Sequence, residues 1–163
     1  RELHNMKKLL LVSLLLPLLV SCSGSAESPV IEITGFFIGD DTKDYSKDMA
    51  SMPSLKVGDE MTVSLRLDGN GEDLNTFIVK EAAEQLGIKG FDLPGGVSSE
   101  SDLSKPENGV ITFKDGIQYT ELKVEVCVKT VADAHAILAF YLSSKAECES
   151  AQEKIELKTE TKK

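Results

Sequence analysis

Two segments of the chain alternate strictly between apolar and polar residues. In Met61–Asp68 every odd-numbered residue is apolar, and in Leu122–Lys129 every even-numbered residue is apolar. A period of two is that of a β-strand, whose successive side chains point to opposite faces. Both segments are therefore predicted to be antiparallel strands with one face in the core and the other in water. The inward positions of this pattern include Val63, Leu65, Val124 and Val126.

Five further segments are apolar, contain β-branched or aromatic residues, and are bounded by residues that form turns. They are Val30–Ile38, Leu74–Val79, Val110–Phe113, Ala136–Leu142 and Ile155–Thr159. The region Ala132–Ser143 could also be helical, because Ala and Leu dominate it. We favour a strand there, because Ile137, Phe140 and Tyr141 suit a sheet.

Three connecting segments carry signals of their own. Asp68-Gly69-Asn70-Gly71 contains residues that accept a positive φ, and it predicts a hairpin between its flanking strands. Lys80–Gly87 contains no β-branched residue and ends in glycine, so we predict one short helix there. Gly90–Gly109 is rich in Pro, Gly and Ser and predicts a long loop, either a recognition loop or an ordinary mobile insertion.

These elements define the expected fold class. Seven short strands separated by turns predict an all-β protein, an immunoglobulin-like antiparallel β-sandwich. A chain of 163 residues corresponds to one domain. We place that domain at residues 30–160, followed by a frayed tail at 161–163. The chain has no Trp and lacks the usual cysteine pair between sheets, so the prediction concerns the architecture alone.

The first residues follow a different pattern. Two lysines precede the apolar stretch Leu9–Val20, which has 12 residues. As a helix it would extend about 18 Å, whereas the hydrocarbon core of a bilayer is about 30 Å thick. We therefore interpret residues 1–21 as a secretion signal rather than a membrane span. Met6 is the expected natural start, because Arg1 cannot initiate translation.

The residues that end this signal, Leu19-Val20-Ser21-Cys22, resemble the bacterial lipobox. The resemblance implies cleavage after Ser21 and lipidation of Cys22 with acyl chains such as palmitate, with residues 22–29 as a flexible tether. An ordinary secretory signal that contains a cysteine is the alternative. Because Ser23, and not Asp, follows the cysteine, the resemblance favours the outer membrane. The expected location is the cell envelope, where the membrane is a partner through the lipid anchor.

Charge excludes nucleic acid as a partner. The net charge is −9, and no cluster of Lys or Arg exceeds a pair. Such a chain repels a phosphate backbone. Removing the leader, which contains Arg1, Lys7, Lys8 and Glu2, changes the charge to about −11 and keeps the domain away from anionic lipid surfaces.

Few residues point to catalysis, and no catalytic residue is predicted. His135 is the only histidine after the leader, and we expect it in a solvated turn. No Gly-x-Ser-x-Gly motif occurs. A glycosidase could use two carboxylates alone. Carboxylates are so numerous in this chain that some pair is inevitable, so a pair is no evidence for such an enzyme.

No metal or cofactor is expected either. The segment Asp68–Asp73 begins like an EF-hand loop, but Asp73 stands where glycine is required and Val79 where a bidentate Glu is required. Asp40–Asp44 is a second acidic cluster without a recognisable pattern of ligands. One His and two widely separated Cys provide no spaced ligand pairs for zinc.

The two remaining cysteines form an even pair once Cys22 is assigned to lipid. Cys127 falls on the polar side of its strand, and Cys148 lies in a polar segment. Because an exposed thiol is a liability outside the cytoplasm, we expect a disulfide between them, which would contribute about 3 kcal/mol. Two reduced thiols are the alternative. If residues 122–130 and 136–144 formed a hairpin, Cys127 would lie opposite Phe140 and not Cys148.

A second resemblance concerns Val57-Gly58-Asp59, Asn75–Val79, and Gly109–Phe113 ahead of the strand Leu122–Val128. These segments are similar to those of cohesins, the protein-binding sandwiches of secreted bacterial assemblies. The resemblance implies a sandwich and assigns no binding residue, because these features are generic to secreted sandwiches.

These observations lead to one main functional hypothesis. We expect a noncatalytic binding or assembly module held at the envelope by lipid, whose partner is an extracytoplasmic protein or glycan. An envelope hydrolase would instead require two acidic side chains converging in a deep cleft. A structural subunit of a surface assembly would require a long exposed edge strand.

Overall fold

The computed structural model describes residues 26–82, 84–99 and 104–160. The predicted leader, Cys22 and the tail 161–163 lie outside these residues. The eight strands are β1 (Val30–Ile38), β2 (Glu60–Asp68), β3 (Leu74–Glu81), β4 (Leu86–Asp92), β5 (Val110–Thr112), β6 (Tyr119–Val128), β7 (Ala136–Ser144) and β8 (Ala151–Leu157). Single 3-10 turns occur at Met49–Ser51 and Pro106–Asn108. Within the described part, no helix is long and apolar enough to cross a membrane.

The strands form two four-stranded antiparallel sheets. Sheet I has the order β1-β2-β6-β4, and sheet II has the order β5-β3-β7-β8. One hydrophobic core contains buried residues from both sheets. The predicted inward residues Val63, Leu65, Val124 and Val126 are each at most 1% exposed. The structure thus confirms the all-β sandwich and the faces that alternation assigned to β2 and β6.

Aromatic packing joins the two sheets. Within sheet II, Phe77 of β3 stacks on Phe140 of β7, with ring centroids 6.1 Å apart. Phe77 also meets Phe91 of β4 edge-on at 6.2 Å. Offset-stacked and edge-on pairs of this kind add to the free energy gained from burial alone.

The predicted hairpin between β2 and β3 is wrong. Asn70 and Gly71 do adopt positive φ values of 52° and 85°. The turn nevertheless leads from sheet I to sheet II, because β2 pairs with β1 and β6 whereas β3 pairs with β5 and β7. The turn residues specify a change of direction, and the pairing partner is decided by the whole core.

The predicted helix over Lys80–Gly87 is also wrong. Lys80 and Glu81 belong to β3, and Leu86 and Gly87 belong to β4. Strand β4 forms a ladder with β6, as in the pair Leu86 and Val128. Long-range pairing therefore overrides the local helical propensity.

Buried Gln85 fixes the turn between these strands, since its Nε2 donates to the carbonyl of Ala134 at 3.0 Å and its Oε1 accepts from Thr159 Oγ1 at 2.6 Å. The expected loop Gly90–Gly109 is shorter than predicted, because β4 extends to Asp92. Its residues Ser98 and Lys105 make isolated bridges to Phe113 and Val110.

Candidate functional site

The outer face of sheet I carries a shallow polar depression. Adjacent strands place their outward residues in two rows that cross the sheet. The first row contains Phe37, Thr62, Glu125 and Gly90, and the second contains Gly35, Ser64, Lys123 and Asp92. We call these eight residues the trough.

Two cavities adjoin along the trough. The first, of about 390 Å³, is lined by residues that include Thr62, Lys89 and Glu125. The second, of about 370 Å³, includes Ser64 and Lys123. Thr62 and Ser64 are successive outward residues of β2, so the two cavities are neighbours on one sheet face.

Two bulges and two glycines flank this depression. Sheet I has register shifts between Ile33 and Gly35 in β1 and between Ile88 and Gly90 in β4. A Cβ atom on Gly90 would meet open space. A Cβ atom on Gly35 would lie only 2.8 Å from Cε2 of Phe37, so the Phe37 ring occupies the space above this glycine. The same atom would lie 3.3 Å from Oγ of Ser64, so the ring lies beside Ser64 on the β1 side of the trough.

Paired charges stand at both ends of the trough. At one end Lys89 forms an ion pair with Glu60, and this hydrogen bond raises the pKa of the lysine. At the other end Arg66 donates to Tyr119 Oη at 2.9 Å and to Glu32 Oε2 at 2.8 Å. The hydrogen bond to Tyr119, followed by that to Glu32, raises the pKa of Arg66. These groups have partners within the protein.

The charged groups of the trough are not hydrogen-bonded in this way, although the negative charge of Glu125 also contributes to the raised pKa of Lys89. Among the described residues, Lys123, Glu125 and Asp92 make no side-chain hydrogen bond or ion pair. The hydroxyls of Thr62 and Ser64 lie beside them. The trough therefore presents donors and acceptors that are free to meet a ligand.

The residues considered for catalysis and metal binding do not converge. His135 is exposed, and its Nδ1 lies 3.5 Å from Glu156 Oε2. Within residues 26–82, 84–99 and 104–160, no group of three His, Cys, Asp or Glu side chains is positioned to hold a metal ion.

The two acidic clusters instead support local structure. Asp44 accepts hydrogen bonds from the backbone amides of Ser46 and Phe36, which lower its pKa. Asp73 accepts from the amide of Gly116 at 2.7 Å, and this bond is the main cause of its lowered pKa.

The expected Cys127–Cys148 disulfide is absent, and both thiols are free. Strands β6 and β7 lie in different sheets, so the hairpin considered for residues 122–144 does not form either. Cys127 lies near the end of β6, eight residues beyond Tyr119. Cys148 follows β7 at the opposite end of the sandwich. There the backbone amide of Lys145 donates to the carbonyl of Asp73, and the amide of Leu74 donates to the carbonyl of Ile117, just before β6 begins. About 26 Å of strand separates the two ends, far beyond the reach of a disulfide.

Sequence reasoning missed the trough. The alternation in β2 and β6 assigned Thr62, Ser64, Lys123 and Glu125 to the wet face without distinguishing them from ordinary solvated residues. The available signal was the run of small hydroxyl residues on the polar side of β2. Thr62 and Ser64 can be distinguished from ordinary solvated residues only in the structure, where Gly35 and Gly90 flank them.

The fold and the trough define a two-sheet β-sandwich domain with a polar depression on one outer face. The chain belongs to the DUF5035 family, described as a domain of unknown function, whose sequence profile matches residues 22–159. Among curated proteins no relative matches the chain.

Solved structures resemble the fold at low sequence identity. A DUF4466 family protein from Parabacteroides merdae superposes with a TM-score of 0.51 at 10% identity, over 81% of this chain and 45% of that one. This chain thus spans less than half the length of that protein. BslA, a bacterial hydrophobin, gives a TM-score of 0.36 at 14% identity, over 82% and 98% of the two chains. A type II cohesin domain from the cellulosome of Acetivibrio cellulolyticus gives 0.34 at 12%, over 84% and 93%.

Proposed function

We propose that this protein is a noncatalytic binding module, held at the cell envelope by lipid on Cys22, that binds its ligand in the trough. One observation carries the proposal. Two cavities on the outer face of sheet I expose hydroxyl, ammonium and carboxylate groups, of which those of Thr62, Ser64, Lys123 and Glu125 form no hydrogen bond or ion pair with the described residues. The neighbouring charges of Arg66, and of Lys89 in the first cavity, are already paired.

The proposed location rests on the leader. Leu19-Val20-Ser21-Cys22 matches the lipobox, and the polar residues after Cys22 suit a tether. Ser23 favours the outer membrane. Since the mature domain is strongly acidic, it is repelled by anionic headgroups and stands away from the membrane that holds it.

The carboxylates of the trough fit ligand binding better than hydrolysis. A hydrolase of the glycosidase type needs one carboxylic acid whose pKa is raised by desolvation. Glu60, at the rim of the first cavity, is 58% exposed and forms an ion pair with Lys89. Such a group is exposed to water and is not desolvated.

Two of the four edge strands, β1 and β8, likewise fit a binding module better than a subunit that polymerises through its sheets. The amide and carbonyl of Phe36 on edge strand β1 are engaged by Asp44 and Tyr45. Edge strand β8 carries the exposed charges Glu153, Lys154 and Glu156. Blocked backbone groups and edge charges both oppose pairing between sheets.

Site-specific photo-crosslinking in intact cells tests this proposal. A photoreactive amino acid is placed at Ser64 in the trough, and in a matched control at Thr76, which is similarly half-buried on the outer face of sheet II. We expect a discrete crosslinked envelope component from position 64 and none from position 76. Equal products from both positions, or none from position 64, would contradict the proposal.

A further inference from the structure

We infer that the ligand of the trough is a neutral oligosaccharide, an inference that rests on the proposed binding function. The trough combines one half-buried aromatic ring, Phe37, with a floor of hydroxyl, carboxylate and ammonium groups. A pyranose ring presents an apolar face of C–H groups and a rim of hydroxyls. These two surfaces match the two kinds of surface in the trough.

The hydrogen-bonding groups of the floor suit sugar hydroxyls in particular. A hydroxyl both donates and accepts, so it can meet a carboxylate and an ammonium group at the same time. Cross-strand pairing places Ser64 beside Lys123, and Lys123 beside Asp92. Thr62 lies beside Glu125 in the next row. A donor and an acceptor are thus available in each row.

The position of Phe37 explains how a chain of sugars would lie. Its ring stands above Gly35, next to Ser64, which lines the second cavity. One sugar can pack on this ring while the next sugar enters the cavity lined by Ser64.

The charge of the cavities excludes anionic ligands. The first cavity is lined by Asp40, Asp59, Glu60 and Glu125 with Lys89 as its single cation among the lining residues. The second is lined by Asp92 and Glu121 with Lys123. Uronic acids, sulfated glycans and phosphates would therefore meet an excess of negative charge.

The backbone of the trough disfavours an extended polypeptide. Peptides that bind β-sheets commonly add a strand to an exposed edge. The central strands of the trough are β2 and β6, whose backbones are already paired on both sides. A peptide there would leave many of its own amide and carbonyl groups without partners.

A glycan array followed by calorimetry tests the inference. The mature domain is applied to neutral glycans covering common hexose, pentose and N-acetylhexosamine linkages, with oligogalacturonates as anionic probes. We expect binding to neutral glycans alone. By titration calorimetry with the best soluble neutral probe, Phe37→Ala should weaken affinity at least about tenfold. Phe37→Tyr, which keeps the ring, should retain affinity within about threefold.

Tyr141→Ala is the matched control, because Tyr141 is a half-buried aromatic residue on the outer face of sheet II. It should bind like the wild type, and thermal unfolding verifies that each variant folds. Equal losses in Phe37→Ala and Tyr141→Ala, or preferential binding of oligogalacturonates, would overturn the inference.

The photo-crosslinking result separates this inference from the proposed function. A blank array together with a crosslinked protein at position 64 would overturn the glycan inference and leave the binding function standing. A blank array together with no crosslink at position 64 would overturn both.

Discussion

The carboxylate of Asp44 accepts a hydrogen bond from the backbone amide of Phe36 at 3.0 Å. The carbonyl of Phe36 accepts one from the amide of Tyr45 at 2.8 Å. Both backbone groups of Phe36 lie on the free side of β1, an edge strand of sheet I. The segment that follows β1 thus folds back to cover part of the edge, which protects it from pairing with another chain.

Replacing Asp44 should destabilise the domain in a pH-dependent way. Its folded-state pKa is lowered from 3.8, chiefly by the amides of Ser46 and Phe36. The stabilisation is therefore complete above this value and is lost as pH falls below about 4 through the folded-state pKa. We expect Asp44→Asn to lower Tm by about 2–6 °C at pH 7. The difference from wild type should shrink below pH 4.

Thermal unfolding from pH 3 to pH 7 measures this difference. Asp40→Asn is the control, because the Asp40 carboxylate makes no hydrogen bond to the described residues and should leave Tm unchanged. A difference between Asp44→Asn and wild type that grew as pH fell would contradict the assigned role.

Gly109 should be intolerant of any side chain. Its φ is +76°, and an added Cβ would lie 2.6 Å from the carbonyl oxygen of Val79. The amide of Val79 also donates to the carbonyl of Gly109. We expect Gly109→Ala to lower the free energy of unfolding by at least about 2 kcal/mol. The backbone near Val79 must move to admit the new Cβ atom, and alanine is also strained at this positive φ. Gly96 has a similar φ of +82° but open space around it, so Gly96→Ala should cost only about 1 kcal/mol. Urea unfolding gives both values, and equal costs would refute the steric argument.

Cys22→Ala should release the protein from membranes. The prediction follows from the lipobox match at Leu19–Cys22 and the polar tether after it. Metabolic labelling with a fatty-acid analogue, followed by membrane fractionation, measures it. Ser23→Ala is the control and should remain labelled. Equal labelling of wild type and Cys22→Ala would show that this cysteine is not the acylation site.

Cys127 and Cys148 should both be alkylated in the native mature protein without prior reduction. They lie at opposite ends of the sandwich, and each is only half-buried. Addition of a reductant should leave Tm unchanged, because no intramolecular bond is available to break. Mass spectrometry after alkylation counts the modified thiols. A peptide containing both cysteines joined would require a different arrangement of β6 and β7.

Much of the sandwich could be predicted from local pattern. Alternation in β2 and β6 follows from burial of one face of each strand, so Val63 and Val126 could be assigned to the core directly. Strand β7 could be preferred over a helix because β-branched and aromatic residues suit a sheet. These properties depend on residues close in sequence, so they can be recognised without the tertiary structure.

The sequence by itself thus determined the strand character, the core faces, the acidic charge and the motif at Cys22. Only the tertiary structure decided that β2 and β3 belong to different sheets, that residues 86–92 form a strand, and that Cys127 lies far from Cys148. The trough also belongs to this second group, because Phe37, Ser64 and Lys123 come from three strands. The physical reason is that alternation specifies which face of a strand is buried but not which strand lies beside it. That choice depends on how all eight strands together fill one core.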